Sequence, residues 1–304
     1  MAESILTAAR FTDEEAARQH LESIRWPSGP VCPHCGGTER NSALQGQSHR
    51  AGLYFCGDCR SQFTVTVGTV FERSKIPLHK WVLATHLLCS SKKGMSSHQL
   101  HRTIGVTYKT AWFMSHRIRE AMNGNGGGLL GGGGGTVEAD ETFFGTKTGE
   151  KKRRGYAHKN AVFALVERGG QVRSFHVADV KAKTLNAVMR EQIAKDANIM
   201  TDEALQYVKV GREFASHNRL NHLAGEYVRG KAHTNTVEGL FSIFKRGMIG
   251  TYHKCGEQHL QRYATEFDFR YNNRTALGVD DVQCTNKALK GISGKRLTYR
   301  RTDA

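Results

Sequence analysis

The sequence predicts an α/β protein in which a mixed sheet with helices follows a small cysteine-bearing module and a helical region. Three observations predict it. Between residues 136 and 275, apolar periods run strand, two strands, helix, strand, helix. Two Cys-x-x-Cys pairs, Cys32 with Cys35 and Cys56 with Cys59, are separated by 20 residues. Between these regions, residues 124–135 contain nine glycines among twelve positions, a composition that breaks regular structure.

Taken in order, residues 1–25 hold a helix-like segment over 12–24 that ends near Trp26 and Pro27, with no role legible in the sequence. Residues 26–72 hold the cysteine pairs. Each pair presents two thiolates from a tight turn, and the spacing is that of a zinc ribbon, so Cys32, Cys35, Cys56 and Cys59 are expected to hold a structural Zn²⁺. Cys89, Cys255 and Cys284 have no such partner and read as packing residues. Residues 73–123 read as basic helices. One spans about Leu78 to Ser90, a second starts near Ser96 or Ser97 and ends at Gly105, and a third starts at Thr107. This has the cadence of a helix-turn-helix, in which Gly105 makes the turn and Thr107, Tyr108, Lys109 and Thr110 open the recognition helix; a plain helical hairpin is the alternative. Residues 124–135 are expected to be a flexible linker and residues 276–304 an irregular tail.

Within residues 136–275, Val137 to Phe144 alternate as a half-buried strand does, which puts Glu138 and Asp140 on one face and Val137 and Ala139 on the other. Residues 161–167 and 171–178 read as two strands joined by Arg168, Gly169 and Gly170. A helix follows over Thr184 to Ala194, then a short strand from Asn198 to Met200 that delivers Asp202 past its end. Thr236 to Met248 reads as a helix with Val237, Leu240, Phe241 and Phe244 on one stripe, carrying Glu238 and, seven residues later, Lys245. Leu260, Tyr263, Phe267 and Tyr271 form a further stripe that reads as core, with Arg262, Arg270 and Arg274 on a basic side.

Lys and Arg number 44 against 28 Asp and Glu, a net charge of +16 over 304 residues. The excess is concentrated on both flanks of the acid-bearing segment, which favours a polyanionic partner such as nucleic acid. No apolar run of membrane-spanning length and no signal-peptide pattern is present, so a cytoplasmic protein is expected.

The element order is that of the ribonuclease H-like fold, and the 35 residues between Asp202 and Glu238 resemble the DDE transposases and integrases. Glu-Ala-Asp-Glu-Thr-Phe-Phe-Gly (138–145), Thr-Asp-Glu-Ala (201–204), the run from His233 to Arg246 and the run from Tyr263 to Arg274 narrow the match. Over about residues 15 to 300 the chain resembles the insertion-sequence transposases with an amino-terminal zinc ribbon, the IS-fifteen-ninety-five or ISXO-two-like group. The resemblance implies metal-dependent DNA cleavage and strand transfer at terminal inverted repeats. Asp140, Asp202 and Glu238 are then the catalytic acids, holding two Mg²⁺ (or Mn²⁺) ions with Asp140 shared between them. Asn235 competes with Glu238 for the third place, and Asp179 is the reserve acid; Glu138, Glu141 and Glu203 read as surface or supporting groups. His233 either orients a phosphate or is a buried, hydrogen-bonded histidine. Lys109, Arg117, Lys151, Lys152, Arg153, Lys245 and Arg246 are the expected contacts to double-stranded DNA, both terminal repeats and target. Bringing two ends together implies a homodimer or higher oligomer.

Overall fold

In the computed structural model, Asp13 accepts a hydrogen bond from Ala16 N, and Glu14 and Glu15 follow it, which starts helix α1 (Glu14–Arg25) with negative charge at its positive end. The structure describes residues 4–124, 127–220, 228–229 and 232–298. These divide into two units, one of Met1–Gly124 with Gly278–Ala304, the other of Asn125–Leu277.

In the first unit, β1 (Asn41–Ala43), β2 (Tyr54–Cys56) and β3 (Gln62–Phe63) form an antiparallel sheet. The helix whose role the sequence left open holds this ribbon. Trp26, at its end, lies edge-on to Tyr54 and Phe63 at 5.5 and 5.7 Å, and Arg25 donates to the Val65 carbonyl. Helix α2 (Leu78–Ser90) follows Pro77, which offers no cap, and the Glu14 carboxylate accepts from Leu78 N instead. Helices α3 (Ser97–Ile104) and α4 (Tyr108–Met122) are capped by Ser96 and Thr107 and joined through Gly105. Gly105 adopts φ 64°, ψ 52°, a left-handed turn that a side chain disfavours.

Residues 276–304, expected to be irregular, contain α9 (Asp281–Lys290), started by a full capping box between Asp280 and Gln283. This helix belongs to the first unit: Thr285 Oγ1 lies 3.0 Å from His86 Nδ1 of α2, and Val70 N donates to the Ile292 carbonyl. The apolar positions Cys284, Ala288, Leu289 and Ile292, all buried, are the sequence signal that the short segment concealed.

The second unit is a five-stranded mixed sheet in the order β6-β5-β4-β7-β8, the ribonuclease H-like arrangement. Its strands are β4 (Thr136–Phe144), β5 (Asn160–Glu167), β6 (Val172–Val177), β7 (Asn198–Thr201) and β8 (Ser216–Arg219), the first three antiparallel and the last two parallel to β4. One face, carrying Val137, Ala139, Phe163 and Leu165, packs against Leu185 and Met189 of α5 (Ala182–Gln192) and against Tyr207 and Val210, the latter in α6 (Val208–Gly211). The other face meets α7 (Asn235–Gly247) through Val237, Leu240 and Phe241, and α8 (Leu260–Asn272) through Leu260, Tyr263 and Phe267. A short ladder of β9 (Val228–Arg229) and β10 (Ala232–His233) leads into α7.

Two expectations fail here for physical reasons. The glycine run is no simple flexible linker, although Asn125 and Gly126 lie outside the described residues. Leu130 is buried and exchanges backbone hydrogen bonds with Gln192 and Ala194, while Gly131, at φ +74°, lies where a Cβ would stand 2.6 Å from the Ala197 methyl. Arg270 is not on an open basic side: it is buried and ion-paired with Glu266, which also accepts from the Tyr252 hydroxyl at 2.5 Å. Among the described residues, no helix is long and apolar enough to cross a membrane.

The exposed edge of β6 is closed by side chains of α8. Asp268 accepts from Ser174 N and Oγ, each at 2.6 Å, Gln261 accepts from His176 N, and Asn272 accepts from Val172 N. A strand edge thus satisfied by a helix offers no template for a further strand.

Candidate active site

β4 and β7 run parallel, and their register pairs Glu138 with Met200. Two residues further along from that pair stand Asp140, within β4, and Asp202, just past the end of β7, so the register brings the two acids to neighbouring positions. Asp202 Oδ1 accepts from Ala204 N at 3.1 Å. Glu238 lies in the first turn of α7, its carboxylate held by the Thr234 hydroxyl at 2.9 Å.

These three acids share one field. Burial pushes the Asp140 carboxyl up to about 7, and the charges of Glu141, Asp202 and Glu238 add to it, against a hydrogen bond from Glu141 N that lowers it. Glu141 is a fourth acid of the site. Its pKa is raised by burial first and also by Asp202, and it accepts from Gln206 Nε2 at 3.1 Å. Tyr207, fully buried beside these acids, has its phenol raised by burial and then by Glu141, Asp140 and Asp202.

The other expected residues divide. Asn235 is the exposed first residue of α7, three before Glu238. Asp179, the reserve acid, is tied up in starting α5: its Oδ1 accepts from Thr184 Oγ1 and Lys181 N, and these hydrogen bonds lower its pKa. His233 lies beside a carboxylate, with Nδ1 3.2 Å from Glu138 Oε1. Glu138, read from sequence as surface or support, is wholly buried, and the only sequence signal of its role is that it shares a strand face with Asp140. The carbonyl of Glu203 accepts from Arg219.

Of the cations, Lys245 and Arg246 are exposed on the last turn of α7, and Lys151, Lys152 and Arg153 lie on an exposed loop where Arg153 pairs with Glu150. Lys109 is exposed in the first turn of α4, next to Tyr108, which is 45% exposed and whose ring stacks on His98 at 4.3 Å. Arg117 lies two turns further along α4, half-buried, donating to the carbonyls of Leu297 and Glu72 and lying over the Phe113 ring.

In the first unit the four cysteines do converge. Their Sγ atoms all lie within 4.8 Å of one another, with Cys32 to Cys59 and Cys35 to Cys56 at 3.6 Å. That is close to the edge of a tetrahedron, about 3.8 Å, around an ion with sulfur bonds of about 2.3 Å. Zinc fits this donor set.

The sheet order is that of a ribonuclease H-like domain, standing behind a zinc ribbon, and the family matches make the class a transposase. Comparison with known proteins agrees. Residues 132–272 match the ISXO2-like transposase domain and residues 12–62 the transposase zinc-ribbon domain. Over 282 residues the chain is 31% identical to an uncharacterized protein in transposable element ISH50 of Halobacterium salinarum, spanning 86% of this chain and 91% of that relative. The chain belongs to the ISXO2-like transposase family.

Proposed function

We propose that this transposase cleaves DNA at the ends of its element and joins those ends to target DNA, using Asp140, Asp202 and Glu238. The observation that carries the reading is the placement of three acids from separate elements, Asp140 on β4, Asp202 just past β7 and Glu238 in the first turn of α7, close enough for the charges of Asp202 and Glu238 to act on Asp140. Mutually repelling carboxylates are hard oxygen ligands suited to Mg²⁺ or Mn²⁺, and Asp140, Asp202 and Glu238 would hold two such ions. When bound, such ions activate the attacking oxygen and stabilise the leaving one in an in-line phosphoryl transfer. Thr234 orients the Glu238 carboxylate, and Gln206 fixes Glu141 beside the site. Lys245 and Arg246, exposed on the helix that carries Glu238, would hold DNA phosphates.

The helix-turn-helix of α3 and α4 presents Tyr108 and Lys109 to the terminal repeat, and a structural Zn²⁺ on the four cysteines holds the ribbon beside it. Two ends cut in concert call for at least a dimer, acting in the cytoplasm where the DNA is.

The deciding experiment incubates labelled DNA carrying the element's inverted repeats with the protein and Mg²⁺, beside Asp202→Asn. Cutting and joining by the wild type alone supports the reading. Cutting without joining identifies a nuclease, and binding without either identifies a regulator that keeps the DNA-binding half of the chain.

A further inference from the structure

Helix α7 begins without a cap of its own. Its N-cap residue, Thr234, makes no side-chain hydrogen bond to the first amides, and its hydroxyl goes to Glu238. The acceptor comes from β4: Glu138 Oε2 accepts from Thr236 N at 2.9 Å and Val237 N at 3.0 Å, and Oε1 accepts from Thr236 Oγ1 at 2.8 Å. Those two amides are the second and third of the helix, the pair that an ordinary cap satisfies. Arg168, from the β5–β6 turn, donates to Glu138 Oε1 through Nε at 2.6 Å and to the His233 carbonyl through Nη2 at 2.8 Å. The Glu138 side chain is 0% exposed, so water cannot take the place of any of these partners.

We propose that Glu138 is a positioning residue of the acidic site: it bolts the first turn of α7, and with it Glu238, to the strand that carries Asp140. Glu138 and Asp140 stand two apart on β4 and share a face, and Glu238 follows Val237 directly. A change at Glu138 therefore moves Glu238 relative to Asp140 while leaving both acids in the sequence. Arg168 and the amides at the positive end of α7 balance the Glu138 charge, so it acts through the helix and touches no substrate. This rests on the reading of Asp140, Asp202 and Glu238 as a divalent-ion site.

The test uses the full chain with Glu138→Gln, Thr236→Val and Asp140→Asn, and Tb³⁺ luminescence as a probe of the ion site. Glu138→Gln turns an NH₂ toward donors, and Thr236→Val removes one donor while keeping shape. The expected result is a Tb³⁺ half-saturation raised at least fivefold by Glu138→Gln and about twofold by Thr236→Val, with cooperative melting retained. Faster hydrogen exchange at Thr236 and Val237 accompanies it. Cleavage kcat falls at least tenfold in Glu138→Gln at a Mg²⁺ concentration that saturates the wild type, excess Mn²⁺ restores part of it, and affinity for end DNA stays within twofold. Wild-type Tb³⁺ binding and kcat in Glu138→Gln overturn the proposal. If that variant does not fold, wild-type values in Thr236→Val overturn it. A Tb³⁺ signal indifferent to Asp140→Asn refutes the ion site itself, and positioning falls with it; a signal lost in Asp140→Asn but unchanged in Glu138→Gln refutes positioning alone.

Discussion

Asp140 sets a pH dependence that can be worked out before any assay. Its carboxyl is pushed up to about 7, chiefly by burial and then by neighbouring acids, so below that pH it carries a proton and above it a charge. A proton and a divalent cation compete for the same oxygens. The ionised fraction rises from about one tenth at pH 6 to about nine tenths at pH 8, so the apparent affinity for Mg²⁺ should fall about tenfold between pH 8 and pH 6, or about 1.4 kcal/mol. The sign is fixed: the raised pKa weakens binding on the acid side and leaves the alkaline side unaffected. The assay is a Mg²⁺ titration of end cleavage at half-unit steps from pH 6 to 8.5, reading the half-maximal concentration because the rate also depends on the ionisation of the attacking water. At saturating Mg²⁺ the acid-side loss should largely disappear. A half-maximal concentration that stays constant from pH 8.5 to 6 would refute the placing of Asp140 as an ion ligand that titrates near 7.

Three further outcomes follow from named contacts. Cys35→Ser, or a strong chelator, should release one Zn²⁺ per chain and unfold the ribbon over residues 26–72, because the binding free energy of such a site, about 10 kcal/mol or more, is folding free energy; atomic emission and protease sensitivity measure both. Asp268→Asn should stabilise the chain at pH 8 and be neutral near pH 4. Burial raises the Asp268 pKa to about 7 from 3.8, so native stability is lost as pH rises through that window, with a ceiling of about 4 kcal/mol, and melting temperatures at the two pH values decide it. Gly131→Ala should cost at least 1–3 kcal/mol, since it forces a methyl to 2.6 Å from Ala197 at φ +74°, and a denaturant midpoint close to wild type would count against the packed glycine turn.

What the sequence made legible was whatever is written locally. The alternation around Asp140 correctly put Val137 and Ala139 in the core and Glu138 on the opposite face, and Gly105 makes the left-handed turn between α3 and α4. The four cysteines meet because two tight turns each deliver a pair. Long-range hydrogen bonding was not legible. Arg117 and Arg270 look like any surface arginines, yet one finds carbonyls of Glu72 and Leu297 and the other a buried glutamate. Leu130 looks like an interruption of a glycine run until Gln192 and Ala194 pair with its backbone.

The same blindness explains the helix starts, and it bears on how the site works. Pro77 and Thr234 supply no caps to α2 and α7, and each helix is instead started by a glutamate from elsewhere in the chain, Glu14 for α2 and Glu138 for α7. A local cap holds a helix to itself, whereas a cap from another element holds it to that element. At α2 this joins two helices of the first unit. At α7 it joins the two elements that carry Asp140 and Glu238, the acids proposed to share a cation, and it does so with a buried carboxylate matched by Arg168 at 2.6 Å. Because that charge is matched, β4 can carry Glu138 and Asp140 on one face while the charges of Glu141, Asp202 and Glu238 add to the effect of burial in raising Asp140. On the proposed reading, one glutamate fixes geometry and the acid two residues on is left to bind. Exchanging them, Glu138→Asp with Asp140→Glu, keeps the charge of the strand but shortens the reach to Thr236 and Val237, and should abolish cleavage as fully as Asp140→Asn.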